Sequence, residues 1–198
     1  MLILVRHGRT SANAAGLLQG RVDNELDPVG IQQANQIAAA LALGDHRPDR
    51  IVTSPLKRAH QTADATRHLL GIEMTIDERW AELDYGEWDG APISEVRPDM
   101  WQQWRSDPGF TLPGGESLAA LNKRVEAACN DLAAEASSRN IAVFTHVSPI
   151  KSAVRWVLGT EEEISWRIHV SQAQIARIQI RDGMPRLSTF NDTSHLSS

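Results

Sequence analysis

Arg6-His7-Gly8-Arg9-Thr10 stands at the end of the apolar run Leu2-Ile3-Leu4-Val5, so an imidazole flanked by two guanidinium groups emerges from a short strand. Open α/β sheets bind ligands outside the carboxyl ends of their strands. An imidazole between arginines is a nucleophile or base facing an anion, and phosphate is the obvious one. Gly8 lets the backbone turn tightly beside His7. A second apolar run, Ile141-Ala142-Val143-Phe144-Thr145, ends in His146. Parallel pairing of the two strands would bring both imidazoles to one sheet edge. Arg58 follows Ser54-Pro55-Leu56-Lys57 at a predicted helix start, and Glu82 lies in the aromatic-rich stretch from Trp80 to Trp88. Taken singly these have plainer readings: a solvated first-turn arginine, a salt-bridged loop carboxylate, a satisfied core histidine.

Those positions depend on the elements around them. Asp27-Pro28 reads as an N-cap followed by proline at the first helical position, and Ile31, Ala34, Ile37, Ala38 and Leu41 recur at helical spacing, predicting a helix over 28–43. Ile51-Val52-Thr53 is a short buried strand, Ser54-Pro55 caps a helix over 56–70, and Met74-Thr75-Ile76 is an edge strand. Residues 80–115 are irregular, with four tryptophans, Tyr85 and a short helix near 93–105; so long an excursion in a compact domain is usually functional. Glu116-Ser117 opens an amphipathic helix to 136, and another helix follows His146 over 148–157. Asp182-Gly183 between 176–180 and 186–190 is a hairpin signal, and the polar tail 191–198 is expected to fray. Strands alternating with helices imply an α/β sandwich on a largely parallel sheet, one domain over 1–198.

Composition sets the outer limits. With 41% apolar and 23% charged residues in 198, the chain has the makings of a globular domain with a full core. Cys129 is the only cysteine, which excludes an internal disulfide and favours a reducing compartment, the cytoplasm. No stretch approaches a membrane span, and the apolar run 1–5 is too short for a signal peptide. A net charge of −5 argues against nucleic acid or an anionic membrane as partner. It leaves room for a basic pocket, since Arg6, Arg9, Arg21, Lys57 and Arg58 all fall near predicted turns. The seven histidines are scattered, with no pair or carboxylate cluster at metal-ligand spacing, so neither metal nor cofactor is expected.

Taken together, these segments form a known pattern. Arg6-His7-Gly8-Arg9-Thr10 with Asn13, Gln19-Gly20, Ser54-Pro55-Leu56-Lys57-Arg58-Ala59 with Gln61-Thr62-Ala63, Glu82 before Gly86-Glu87-Trp88, Pro113-Gly114-Gly115-Glu116-Ser117 and Thr145-His146 occur in order along nearly the whole chain. The sequence resembles the histidine phosphatase superfamily, whose phosphoglycerate mutase-like fold is a three-layer α/β/α sandwich with a mostly parallel central sheet. One segment departs from the family: where Gly-Gly and a later arginine are common, this chain has Val147-Ser148-Pro149-Ile150-Lys151.

The resemblance implies a phosphohistidine formed on His7, a clamp of Arg6, Arg58 and His146, and lesser contacts from Gly8, Thr10, Asn13, Gln19, Gly20 and the Val147 amide. Nearby positive charge should keep His7 neutral and nucleophilic. Glu82 is the expected proton donor, with Asp84 and Glu87 as rivals. The substrate would be a small phosphoester. Hydrolysis is favoured over phosphoglycerate mutase transfer because no long insertion follows residue 90. A non-catalytic phospholigand-binding protein would be expected to lack His7 or the acid, and both are present. Specificity is expected in 13–24 and 84–112, and the closing hairpin and the Trp-rich stretch offer surfaces for a homodimer.

Overall fold

The computed structural model describes residues 1–196. A six-stranded sheet runs through it, with β1 (Leu2–Arg6), β2 (Arg50–Thr53), β3 (Met74–Ile76), β4 (Ile141–Thr145), β5 (Ile175–Arg181) and β6 (Met184–Asp192) in the order β3-β2-β4-β1-β5-β6. The first four are mutually parallel, and β5 turns antiparallel against β1. The central pair is in register, Leu2 opposite Ile141 and Arg6 opposite Thr145. The residues that follow, His7 and His146, therefore leave adjacent strands side by side.

Alternation along the strands divides the core into two layers, because successive side chains point to opposite faces. Leu2, Leu4, Ile141 and Val143 face one cluster with Leu121, Val125 and Ile150. Ile3, Val5, Ala142 and Phe144 face the other with Ile37, Leu41 and Ala63. Accordingly α5 (Leu118–Ala136) and α6 (Val147–Leu158) cover the first face, and α2 (Pro28–Leu43) and α3 (Lys57–Leu70) the second. The three-layer sandwich follows from this pattern.

Most helix ends obey their signals. Asp27 accepts from the Gly30 amide at 2.8 Å and Ser117 from Ala120 at 3.1 Å. At α3, however, the N-cap is Leu56, with no side-chain cap; Ser54 Oγ accepts instead from the amide of Leu56 itself, at 3.3 Å. The helix foreseen near 93–105 divides into a 3₁₀ turn at Ile93–Glu95 and α4 (Pro98–Ser106), because Arg97 precedes proline and is held extended. A short α1 (Ser11–Ala14), capped by Thr10, follows the His7 turn. At the hairpin, Asp182 and Gly183 both have positive φ, 53° and 72°, as a two-residue turn requires. The tail is not frayed through 196: Asn191 and Asp192 close β6, His195 Nε2 meets the Ala173 carbonyl at 2.9 Å, and Leu196 packs on the second core. Ser197 and Ser198 of that predicted tail lie outside the described residues.

Candidate active site

At the carboxyl edge of the parallel strands lies a cavity of about 290 Å³, lined at one end by Arg6, His7, Arg58 and Glu82. His7 is nearly sealed, and its ring centroid lies 5.1 Å from that of His146. Nδ1 of His7 lies 2.7 Å from its neighbour's carbonyl, Gly8 O, which fixes the proton on Nδ1 and leaves the Nε2 lone pair for chemistry. Burial, then Arg58 and Arg6, hold its pKa well below the ordinary histidine value, so the ring is neutral.

The two arginines are anchored by carbonyls and are bonded directly to no carboxylate among the described residues. Arg58 is fully buried; its terminal nitrogens donate to Gly20 and Val22 carbonyls, both at 2.8 Å. Gly20 makes this possible by adopting φ +46° where a Cβ would strike Asp89. Arg6 donates to the Val170 carbonyl at 2.7 Å, and its buried Nε has no partner. Burial lowers Arg6 to about 10, against the pull of Glu82. Among the described residues neither arginine is in an ion pair. Buried cations with no carboxylate partner are costly alone and suited to an incoming anion.

Glu82 is the one carboxylate in the cavity wall. Its Oε1 accepts from the Leu83 and Ser148 amides at 2.8 and 3.1 Å, and Oε2 from Val147 at 3.1 Å, so it seals the amino end of α6. The loop carrying it is pinned by Arg124, which donates to the carbonyls of Arg79, Ala81 and Glu82 and pairs with Glu116 at 2.7 Å. Thus the Gly114-Gly115-Glu116 segment acts on the site through Arg124, a residue the sequence reading missed. Asp84 and Glu87 are not in the wall; Asp84 caps its own turn at the Gly86 amide, 2.9 Å away.

Several expected contacts are redirected. The Val147 amide is taken by Glu82, so it cannot serve a phosphate oxygen; Val147 contributes only its side chain. The Gly8 amide is likewise taken, donating to Thr62 Oγ1 at 3.0 Å. Gly8 is not in the positive-φ set either: it is glycine because a Cβ would lie 2.5 Å from the Gly30 carbonyl. Thr10 is buried outside the cavity wall, donating to Gln19 at 2.8 Å and capping α1. Arg9 turns away to Asp27, 2.7 Å distant, and Arg21 and Lys57 face Glu116 and Glu25. Asn13, Gln19 and Gly20 do line the cavity.

His146 is the largest change of role. Its Nδ1 accepts from Arg58 Nε at 3.2 Å, so Nε2 carries the proton, given to Ser54 Oγ at 2.7 Å. Burial and Arg58 keep its pKa well below the ordinary value. With both nitrogens engaged, the ring orients Arg58 and does not line the cavity.

The far wall is aromatic. Trp104, buried, stacks on Trp101 at 5.7 Å and meets Tyr85 edge-on at 5.4 Å, with Trp166 at 6.4 Å. Lys151 from α6 completes this side, its Nζ donating to the Ser165 carbonyl at 2.6 Å. Trp166 and Lys151 were not foreseen, since nothing local marks them as facing a cavity. Among the described residues, no group of three or more metal-ligating side chains occurs.

Comparison with known proteins agrees with this geometry. A family model described as histidine phosphatase superfamily (branch 1) matches residues 2–193. A putative phosphoserine phosphatase 2 from Hydrogenobacter thermophilus is 31% identical over 198 residues, 98% of this chain and 96% of that protein. A probable phosphoglycerate mutase of Yersinia pestis is 30% identical over 205 residues, 98% of this chain and 93% of that one. A crystal structure of a mutant phosphoserine phosphatase from Entamoeba histolytica, in complex with phosphoserine, superposes with a TM-score of 0.89 at 31% identity, covering 99% of this chain and 98% of that one.

Proposed function

Since the chain belongs to the histidine phosphatase superfamily, we propose that it hydrolyses a small phosphomonoester through a phosphohistidine on His7, without a metal. It is a phosphatase, and the observation that carries this mechanism is the free Nε2 of a neutral His7 between two arginines that have no ion-pair partner among the described residues.

Nε2 attacks phosphorus in line as the ester P–O bond breaks, and the guanidinium groups of Arg6 and Arg58 take the charge on the equatorial oxygens. Glu82, protonated for this step, gives its proton to the departing alcohol oxygen. The resulting carboxylate then takes a proton from water. That water's oxygen displaces His7 from phosphorus, breaking the P–N bond and releasing inorganic phosphate. His146 works through Arg58, and Asn13 and Gln19 contribute amide groups beside the clamp.

The phosphoserine phosphatases among the relatives support hydrolysis over mutase transfer. Phenyl phosphate should release phosphate with wild type and not with His7→Ala, and acid quenching should trap a phosphoenzyme only when His7 is present. A coupled assay on 3-phosphoglycerate with and without bisphosphoglycerate tests the mutase reading, which requires isomerisation faster than phosphate release. Cys129 is the only cysteine and is buried, consistent with action in the cytoplasm, and no described helix is long and apolar enough to cross a membrane.

A further inference from the structure

Gln19–Val22 is a turn, closed by the Val22 amide on the Gln19 carbonyl at 2.8 Å, and the carbonyls of Gly20 and Val22 seat the two terminal nitrogens of Arg58, each at 2.8 Å. Those carbonyls set where the end of the guanidinium stands. His146 fixes only its Nε. The turn belongs to no helix or strand, so its position depends on what it meets outside itself. Leu18 exchanges backbone bonds with Gly90 and Ala91, at 2.6 and 2.8 Å, which brings the turn against the loop that carries Glu82.

Asp89 completes that approach. Its Oδ2 accepts from the Arg21 amide at 2.8 Å, in the middle of the turn, and its Oδ1 accepts from the Tyr85 amide at 3.2 Å, three residues after Glu82. One carboxylate thus joins the turn under the clamp to the loop of the acid. Gly20 has no room for a Cβ against Asp89, so the carboxylate is packed on the turn as well as bonded to it. The Arg21 side chain lies towards Glu116 instead, at 3.8 Å, and Asp89 is not in the cavity wall. Neither a surface ion pair nor contact with substrate accounts for its placement. Its charge also reaches the clamp: burial lowers the pKa of Arg58, and Glu82, Asp23 and Asp89 oppose that fall.

We infer that Asp89 is a positioning residue for the phosphate clamp: it fixes the Gln19–Val22 turn against the Glu82 loop, so that Arg58 and the acid keep a set separation across the reacting phosphorus. The inference rests on the phosphatase reading and deepens it. The geometry makes the requirement specific to a carboxylate. An asparagine presents one acceptor and one donor group, so one of the two backbone amides would face an NH2 and lose its partner. The turn would then shift and carry Arg58 with it, and a misplacement of about 1 Å costs up to about a hundredfold in rate.

The test measures kcat/KM for p-nitrophenyl phosphate and, by titration calorimetry, the Kd of inorganic phosphate in wild type, D89N, R58A and the double variant. D89N should lower kcat/KM by about tenfold to a hundredfold and weaken phosphate binding by about tenfold, while its melting point stays above the assay temperature. In the R58A background the same change should cost less than about threefold in kcat/KM, because the guanidinium it positions is gone. If D89N does not fold, D89S, which keeps one acceptor, replaces it. Either quantity within about threefold of wild type in D89N, or a larger loss than that in the R58A background, overturns the assignment of Asp89 and leaves the phosphatase standing. Failure of wild type to release phosphate from p-nitrophenyl phosphate overturns the phosphatase reading, and the phosphate Kd then decides whether Asp89 sets the clamp.

Discussion

Arg58 Nε donates to His146 Nδ1 across 3.2 Å, and the other nitrogen of that ring is bonded to Ser54. In the mechanism proposed above, the second histidine would act on phosphate through the arginine it orients. Arg58→Ala should lower kcat by two to three decades, the loss of a preorganised donor. His146→Ala should cost less, about one to two decades. Because the two act as a unit, the double variant should be no slower than Arg58→Ala alone. Additive losses in this cycle would mean that His146 touches the substrate directly.

Glu82→Gln removes the proton but keeps an acceptor for the α6 amides. Alkyl phosphates, whose alcohols leave poorly, should slow by about two to three decades. p-Nitrophenyl phosphate, whose leaving group needs no proton, should slow by less than about tenfold. Equal losses on both would deny Glu82 the role of acid. The altered helix end should cost roughly 0.5–2 kcal/mol of stability, measurable by urea unfolding.

Acid should unfold the protein earlier than its carboxylates alone require. His7 and His146 are both buried neutral with pKa values held well below 6.5, whereas in the unfolded chain they take protons near that value. The unfolded state then binds more protons, so stability is full above pH 6.5 and falls as pH drops from there towards the folded values. Two such groups give a slope of at most about 2.7 kcal/mol per pH unit. Urea midpoints at pH 7.5 and 5.5 should diverge in wild type, and diverge less in His146→Gln. The acid limb of kcat/KM should likewise lie below 6.5.

Activity should persist after exhaustive treatment with EDTA, because guanidinium groups occupy the place a divalent cation would take at the equatorial oxygens. Inhibition by EDTA reversed by added zinc or magnesium would contradict the mechanism.

Much of this site could be read along the chain because its main groups follow local signals. His7 and His146 each end an apolar strand, and parallel register alone brings them together. Arg58 lies in the first turn of a helix that periodicity marks. What could not be read is where donors spend their hydrogen bonds. The Val147 amide looks available until Glu82, 65 residues away, is folded onto it. The Gly8 amide is taken by Thr62 from another helix, and Lys151 lines the cavity only because α6 turns that face inward. Such pairings depend on tertiary approach, for which spacing carries no sign. Thr10 is a different case: its capping box with Asn13 was open to inspection as a threonine three residues before a polar side chain.

Gly8 and Gly30 touch so closely that a Cβ on Gly30 would lie 2.0 Å from the Arg9 carbonyl. Gly30→Ala should push α2 away from the His7 turn, costing about 1–3 kcal/mol as overpacking does. It should also lower kcat by at least about tenfold through misplacement of the nucleophile. Normal activity with normal stability would show that the turn tolerates the displacement.

The register of β1 on β4 has a consequence for motion. The His7 amide donates to the Thr145 carbonyl at 3.0 Å, and Ser54 donates to Phe144 at 2.9 Å, so the chemical end of the cavity is bonded into the middle of the sheet. Its amide protons should exchange with deuterium only when the whole domain opens, the slowest class in the protein. The 84–112 stretch on the opposite wall is tied by turns, 3₁₀ segments and the short α4, and should exchange early. The protein should thus be stiff where the proposed mechanism holds phosphorus and yielding where the alcohol enters, so that substrate range could drift on one side without loosening the other.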